Sequence, residues 1–571
     1  MPRKSDWIAA SAIVVVGVLI ATLPHLLAWS RVGDPTWISD NDDKFYLAVG
    51  GQAYDNHPTW LSDPVRSATD GPSLYKPLPL VPGVLAAKAS GLGPGTIGFF
   101  WRVFAGVTVA LGWYILFRHR VSSAWVAAGL AAIFLVDSGL LDARPLVGQA
   151  VNVARVVTGK VGKLYDAKPH IHGEWRITTP GVTMAFLALA FWGVDRARAV
   201  PSRGRIIAAG ALFGLLFHVY FYYWTAFGLA LVIALAADAG HRRVYFHVGW
   251  IGGLIGLPSV ISDALMKRNM PPDWLPRTDK FLPIGHFEEL LIPNVAVILL
   301  VLALIYVAAR RRDLIFAGAL GAAGLLLANH QVLTGLQIEN FHWEYIWGPV
   351  ISLTLVLAVA AEVGDRTGWS RRARIGLGVV TLAMVGSGLW LRWVEVTRTR
   401  EPLENIRQIA EYRRNRGWPE VNPLRPNAVI GGDADYVNLA SILDNLRPLA
   451  TYCCTLSPTV TDAELDRRIV LNALLLGRDR AGFEADQTRI LAANVWGPWA
   501  AARSVTLRDA RLAARIAAFD AAAADFPAAL DEFSVVYAAL PASSKPAYLD
   551  SGWSIVEAGP TWDVWQRLPA P

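Results

Sequence analysis

The chain has 571 residues, of which 54% are hydrophobic and 17% charged, and its formal net charge is +7. Soluble domains carry about 25% charged residues, so this composition excludes a string of ordinary soluble domains. The positive charge does not indicate nucleic-acid binding, because the Lys and Arg residues stand between long apolar segments. The two cysteines, Cys453 and Cys454, are adjacent and exclude both a disulfide framework and a thiolate metal site.

Apolar segments long enough to cross a bilayer follow one another from the N-terminus. The first, at 8–29, imitates a signal peptide but continues past a normal signal core without a cleavage site, so we predict a retained anchor. The segment 206–237 is too long for one crossing and has basic residues at both ends, which predicts two helices broken near 218–224. Together with the remaining segments this gives about eleven transmembrane helices; the others lie at 97–117, 124–140, 179–194, 248–265, 291–309, 314–328, 345–361 and 375–393.

Basic clusters alternate with these segments. With eleven crossings the clusters share one face with Arg3 and Lys4, and the positive-inside rule assigns that face to the cytoplasm of a plasma-membrane protein. The clusters lie at 118–120, 195–205, 241–243, 310–312 and 366–374. The opposite, outer connections are long and hold most of the carboxylates and histidines suited to chemistry, which is typical of functional loops. They span 30–96, 141–178, 266–290 and 329–344, and the first contains a short helix near 77–85 that we expect at the membrane interface.

The composition changes after Trp393, which predicts a transmembrane domain at 1–394 and a soluble extracytoplasmic domain at 395–571. In the second domain, residues 398–416 are charged and are predicted to form a loop. A capping box from Thr461 to Glu464 opens a helix. Alternating strands and helices predict a small α/β domain. The other predicted elements are strands at 427–431, 450–453 and 533–540, helices at 435–446 and 507–519, and a hairpin around 557–560. The fold class is therefore a polytopic α-helical membrane protein with a C-terminal α/β domain.

The sharpest local motif follows the first helix and places Asp40, Asp42 and Asp43 within four residues. Three such carboxylates repel one another unless they are solvated, paired or metal-bound. The cluster suits a general base that accepts a proton from a hydroxyl, and it also suits a hard cation bound through oxygen ligands. A solvated acidic turn explains the same residues.

The segment Asn41-Asp42-Asp43-Lys44-Phe45-Tyr46 resembles the one that carries the catalytic aspartate in bacterial oligosaccharyltransferases of the GT-C superfamily, which are polyprenyl-phosphate-dependent membrane glycosyltransferases. The resemblance covers residues 5–393 in architecture. It implies that Asp42 is the catalytic general base. Like-charge repulsion from the neighbouring candidates Asp40 and Asp43 is expected to raise the pKa of Asp42 and improve it as a base. In an extended segment Asp43 would point away from Asp42.

The resemblance has one departure. Oligosaccharyltransferases carry a Trp-Trp-Asp motif in their soluble domain, and this tripeptide is absent from the sequence. The expected acceptor is therefore a cell-envelope glycan or lipid rather than a protein asparagine. No Gly-x-x-x-x-Gly-Lys-[Ser/Thr] loop occurs either, so no nucleotide cofactor is expected and the sugar must arrive on a polyprenyl-phosphate donor.

The second outer loop offers groups that would complete such a site. GT-C enzymes often carry a second acidic residue in this loop, and Asp142, followed by Arg144, matches it by position. Further on, alternate residues from 170 to 176 share one face of an extended segment. His170, His172 and Glu174 suit a divalent metal, and Arg176 suits a phosphate. A polar lid over the helix ends explains this row as well.

The fourth outer loop, at 329–344, is dense in polar and aromatic groups. Glu339 and His342 are candidate donor- or acceptor-binding residues, whereas anchoring at the membrane interface accounts for the aromatic side chains alone. In the third loop, Arg277 and its basic neighbours either attract a lipid phosphate or contact headgroups.

A non-catalytic transporter or flippase of lipid-linked intermediates is the alternative function. Transporters place charges within their helices near the membrane midplane. Here the apolar segments are almost free of charge, and the polar groups gather at one face. This asymmetry favours the enzyme.

Overall fold

The computed structural model describes residues 3–38, 41–57, 61–66, 76–136, 181–277, 280–283, 285–287, 302–303, 306–307, 310–338, 340–364, 369–398, 400–417, 424–492, 505–550 and 552–569. The N-terminal part of these residues is helical, apart from one short antiparallel ribbon. The helices are α1 (Lys4–Val32), α2 (Asn41–Asp55), α3 (Pro77–Ser90), α4 (Ile97–Arg120), α5 (Ala124–Val136), α6 (Thr183–Ala199), α7 (Arg203–Phe217), α8 (Phe221–Ala237), α9 (Arg242–Arg268), α10 (Trp274–Arg277), α11 (Ile315–Ala328), α12 (Gln331–Thr334), α13 (Glu344–Gly364) and α14 (Arg371–Arg398), and the ribbon pairs β1 (Lys280–Pro283) with β2 (Leu336–Ile338).

Several of these helices are suited by length and composition to a bilayer. Four helical stretches among the described residues are long and apolar enough to cross it, namely Lys4–Val32, Pro94–Arg120, Ala239–Arg268 and Arg371–Trp390, and α5, α8 and most of α13 are shorter apolar helices. They indicate a multi-pass membrane protein. The crossing predicted at 291–309 lies largely outside the described residues, so the number of crossings stays a prediction.

The predicted break in the segment 206–237 is confirmed. Helix α7 ends at Phe217 and α8 begins at Phe221. A break frees backbone groups that need partners inside a membrane. Helix α9 supplies one, because the Ser259 hydroxyl donates to the Phe217 carbonyl over 2.7 Å, and His218 Nε2 lies 3.1 Å from the Ile255 carbonyl.

Ion pairs join the helix termini at one end of the bundle, which we call the basic end. Arg118 binds Asp6 at 2.6 Å, and Arg120 contacts both Asp195 and Asp313. The clusters predicted at 118–120, 195–205, 241–243 and 310–312 meet here, because Arg198 and His241 share Asp238. Thr381 of α14 contacts Gly129 of α5, and Gly388 packs on Val136, so the two helices run parallel and residues 371–374 lie at this end too.

The C-terminal part forms the predicted α/β layer at the opposite end, which we call the domain end. The parallel strands β4, β3 and β5 continue into the antiparallel pair β7 and β6, in the order β4-β3-β5-β7-β6. Its elements are α15 (Arg400–Asn415), β3 (Val429–Gly432), α16 (Ala434–Leu443), β4 (Arg447–Pro448), α17 (Tyr452–Leu456), α18 (Asp462–Leu475), α19 (Arg480–Ala492), α20 (Val505–Ala524), α21 (Phe526–Glu532), β5 (Val535–Pro541), β6 (Trp553–Ala558) and β7 (Trp562–Arg567). Gly432 has φ +113° where its backbone meets the Ala539 carbonyl, so a side chain cannot fit.

Two predicted elements of this domain are wrong. The charged stretch 398–416 is helix α15 rather than a loop, because Ile406, Ile409 and Tyr412 recur at helical spacing and are buried. The strand predicted at 450–453 is helix α17, and the strand β4 precedes it. Cys453 and Cys454 lie buried in α17 as free thiols, and burial raises the pKa of both. The capping box is confirmed, since Thr461 Oγ1 accepts from the Glu464 amide, and so is the hairpin of β6 and β7.

Candidate functional site

The acidic motif lies on helix α2 at the domain end. The segment is helical rather than extended, because Asp42 and Asp43 form the first turn of α2. Acidic side chains stabilise a helix N-terminus, where the backbone amides carry partial positive charge. Successive side chains therefore point about 100° apart around α2, which separates Asp42, Asp43 and Lys44 onto different faces.

One face of α2 packs on α4. Asp43 accepts a 2.8 Å hydrogen bond from Arg102, and both side chains are almost fully buried. One turn later, Leu47 lies against Gly98, and Gly50 lies against Trp101. Asp43 is therefore paired with Arg102 inside the contact between α2 and α4.

A second face of α2 packs along α16 of the C-terminal domain. The Ile442 carbonyl comes so close to Gly51 that a Cβ there would lie 2.6 Å from the oxygen. Lys44 lies near Asp435. Burial raises the pKa of the Asp435 carboxyl, and the positive charge of Lys44 lowers it in part. The C-terminal domain therefore helps to hold α2 in position.

Asp42 is half-buried, and the helical period places it on neither of these faces. It is turned about 100° from Asp43 and about 200° from Lys44, away from α4 and α16. Of the three carboxylates in the motif, Asp40 lies outside the described residues. Of the two described carboxylates, Asp43 therefore belongs to the contact with α4, and Asp42 does not.

The loop between α17 and α18, taken with the adjoining helix ends as 455–462, is held by two of the long loops. From the first, the Asp63 carboxylate accepts from the hydroxyls of Ser457 and Thr459, and Arg66 binds Glu464 at 2.7 Å. From the third, Arg277 is buried and donates to this loop, so it is not the lipid-phosphate ligand considered from the sequence. Its guanidinium reaches the carbonyls of Thr455, Ser457 and Val460 and the Asp462 carboxylate at 2.7–3.0 Å.

An apolar groove of about 1240 Å³ runs between α9 and this loop, and we call it the α9 groove. Leu254, Leu257 and Ile261 of α9 form its floor and are exposed at the surface of the bundle, and Thr459 contributes to its roof. Arg268 lies where α9 ends and is part of the lining. Close by, Lys76 binds Asp263 at 2.5 Å. Sequence reasoning missed this groove, because α9 has the pattern of an ordinary membrane crossing.

The predicted binding residue His342 lies at the break between α7 and α8. Its Nδ1 is hydrogen-bonded to the Tyr220 hydroxyl, and its ring stacks on Tyr222 with centroids 4.7 Å apart. One face of the imidazole is thus covered by an aromatic ring. Its role in binding stays a prediction.

The remaining predicted site residues lie outside the described residues. They are Asp142, Arg144, His170, His172, Glu174, Arg176 and Glu339, in addition to Asp40. Within the described part of the chain, no group of three His, Cys, Asp or Glu side chains could hold a metal ion. The metal row at 170–174 and the partners of Asp142 stay predictions.

The architecture defined by these features is that of a multi-pass membrane protein with an α/β domain mounted on its long loops. It is similar to the crystal structure of ArnT from Cupriavidus metallidurans bound to undecaprenyl phosphate, with 13% identity, a TM-score of 0.46 and coverage of 100% of this chain and 99% of ArnT. It is also similar to the cryo-EM structure of arabinofuranosyltransferase AftD from Mycobacteria, with 13% identity and a TM-score of 0.46 over 40% of AftD. No protein-family model and no curated protein matches the sequence.

Proposed function

We propose that this protein is a GT-C-type membrane glycosyltransferase that moves a sugar from a polyprenyl-phosphate donor to a cell-envelope glycan or lipid acceptor outside the cytoplasm. The observation that carries the proposal is the placement of Asp42. This half-buried carboxylate stands on the first turn of a helix held on two sides by α4 and α16, and the helical spacing places it on a different face from both contacts. A fixed carboxylate at the end of a membrane bundle is what a general base for a membrane-delivered substrate requires.

In the proposed reaction the acceptor hydroxyl attacks the anomeric carbon of the donor sugar. The bond from that carbon to the phosphate oxygen breaks, and the phosphate leaves with the electron pair. The hydroxyl proton passes to the Asp42 carboxylate, which must lie within about 2.6–3.2 Å of the acceptor oxygen. The phosphate is already a good leaving group, so the enzyme's main task is to orient and deprotonate the acceptor.

The α9 groove supports a lipid-linked donor. Its apolar floor faces the side of the bundle, where an isoprenoid chain can enter laterally from the bilayer. Arg268 lies at the end of the groove and offers a fork of N–H donors suited to a phosphate. We therefore assign the lipid chain to the groove and the phosphate to its Arg268 end.

The transporter alternative is disfavoured by the absence of charge from three of the described helices. Helices α5, α8 and α11 contain no charged residue. A flippase that carries a lipid phosphate through the bundle needs polar groups along the path.

Transfer by purified protein in liposomes tests the proposal. We expect it to move radiolabelled sugar from at least one polyprenyl-phosphate sugar in a panel onto an envelope glycan or lipid. Loss of transfer after exhaustive chelation would support a requirement for a divalent metal. Full activity after chelation would contradict that requirement. If lipid crosses the bilayer but no sugar is transferred from any donor, the protein is a flippase.

The orientation predicts the outcome of reporter fusions. The basic end is proposed to face the cytoplasm, because basic loops are retained there. A reporter enzyme active only in the cytoplasm should be silent when fused after Pro571. The same reporter fused after Arg243, in a basic cluster, should be active and serves as the control. Strong activity of the Pro571 fusion would overturn the orientation.

A further inference from the structure

An unusually buried ion pair stands directly beside the proposed base. The side chains of Arg102 and Asp43 are 0% and 1% exposed, whereas Arg118 and Asp6, at the basic end, are 30% and 13% exposed. Removing two charges from water is costly, and a buried pair often contributes nothing to stability over an apolar replacement. Stability alone therefore does not account for this pair.

The pair connects the segments that surround the first turn of α2. Arg102 Nη1 lies 3.2 Å from Nε2 of His25, and Nδ1 of His25 lies 2.5 Å from the Pro35 carbonyl. A guanidinium only donates, so Nε2 of His25 accepts and its Nδ1–H donates to Pro35. A single chain of hydrogen bonds thus links α2, α4, α1 and the segment that follows α1.

That segment is itself fixed on the C-terminal domain. Arg413 of α15 binds Asp34 at 2.6 Å, and Asn405 donates to the Ile38 carbonyl at 2.9 Å. Thr36 donates to the Gly95 carbonyl next to α4. The segment before the motif is therefore tied to both the bundle and the domain.

We propose that Arg102, Asp43 and His25 form a positioning lock for Asp42. They do not touch substrate; they fix the rotation of α2 about its axis, so that Asp42 points toward the acceptor. The first turn of a helix has amides without intrahelical partners and frays readily, and the lock holds it from the side. The inference rests on the proposed function as far as Asp42 is the base, while the lock itself can be measured without any reaction.

The test replaces the pair by apolar residues of similar size, Asp43→Leu with Arg102→Met. Such a replacement is often neutral for stability, so the melting temperature should stay close to that of the native protein. Amide deuterium exchange at residues 45–48, which bond to the first-turn carbonyls, should rise about tenfold. Turnover should fall by about ten- to a hundredfold with unchanged KM for donor and acceptor, because a misplaced base slows only the chemical step.

A matched control is the pair Arg198 and Asp238 at the basic end, with side chains 8% and 10% exposed. Its replacement by Met and Leu should leave exchange at 45–48 and turnover unchanged. If the Arg102 double variant does not fold, Arg102→Lys keeps the charge but loses the two separate nitrogens that contact His25 and Asp43, and it should show a smaller rise in exchange. Unchanged exchange at 45–48 in a folded lock variant would refute the lock. Absence of transfer by the native protein would refute the proposed function and leave the exchange comparison decisive.

Discussion

Asp42→Asn is expected to lower sugar transfer by at least about a hundredfold, the largest effect of any single change considered for this protein. The amide keeps the size and hydrogen-bonding capacity of the side chain but cannot take the proton of the acceptor hydroxyl. Because the substitution removes only basicity, the donor should bind with unchanged affinity, and turnover rather than KM should change. The measurement is steady-state transfer in liposomes with donor and acceptor varied in turn.

Neighbouring carboxylates supply the controls for this experiment. Asp43→Asn weakens a buried contact to Arg102 and should cost less turnover than Asp42→Asn, because the base remains. Asp40→Asn should also cost less. Near-normal turnover by the Asp42→Asn protein would remove Asp42 as the base, and normal turnover by all three variants would place the base in another loop.

Arg277→Ala is expected to detach the loop at 455–462 from the third long loop, at a cost of about 3–5 kcal/mol, because three buried carbonyls lose their donor. The arginine side chain is 1% exposed and donates to three carbonyls and to Asp462. Truncation leaves the three carbonyls without this donor, at about 1–3 kcal/mol each, whereas Asp462 is 31% exposed and keeps its contact with Arg511. The expected result is a lower melting temperature and faster proteolysis within the C-terminal domain.

An exposed arginine provides the comparison for Arg277. The Arg489 side chain is 78% exposed and pairs with Asp486 on the same helix, so Arg489→Ala should change stability by less than about 0.5 kcal/mol. Equal melting temperatures for the two variants would show that Arg277 does not hold the domain in place.

The elements predicted well from the sequence depend on local pattern. The length of the apolar segments predicted the described membrane helices, and the basic residues at both ends of 206–237 predicted the break after Phe217. The capping residue Thr461 predicted the start of α18. The signals that failed were also local. In α15, charged side chains masked a helical row of buried apolar residues. Around Cys453 the small apolar residues suit a strand and a buried helix equally, and only the tertiary contacts decide between them.

The site could be predicted only in part, because its partners are far apart in the chain. Asp42 stands out within a motif, but Arg102 lies 59 residues beyond Asp43 in a segment that has the pattern of a plain membrane crossing. Likewise, Arg277 meets a loop about 180 residues away, and its sequence neighbours carry no sign of that contact. Contacts of this range follow from the fold and not from spacing.

The C-terminal domain cannot be treated as an exchangeable module. The domain is connected to the bundle through α14 and α15. In addition, Asp63 and Arg277 bind its 455–462 loop, and α16 packs against Gly51. A chimera that swaps residues 400–571 for the domain of another protein would leave these contacts unmatched, together with those that Arg413 and Asn405 make to the segment at 34–38. Domain and long loops must therefore be exchanged together, and sequence changes on one side of these contacts are expected to be accepted only with matching changes on the other.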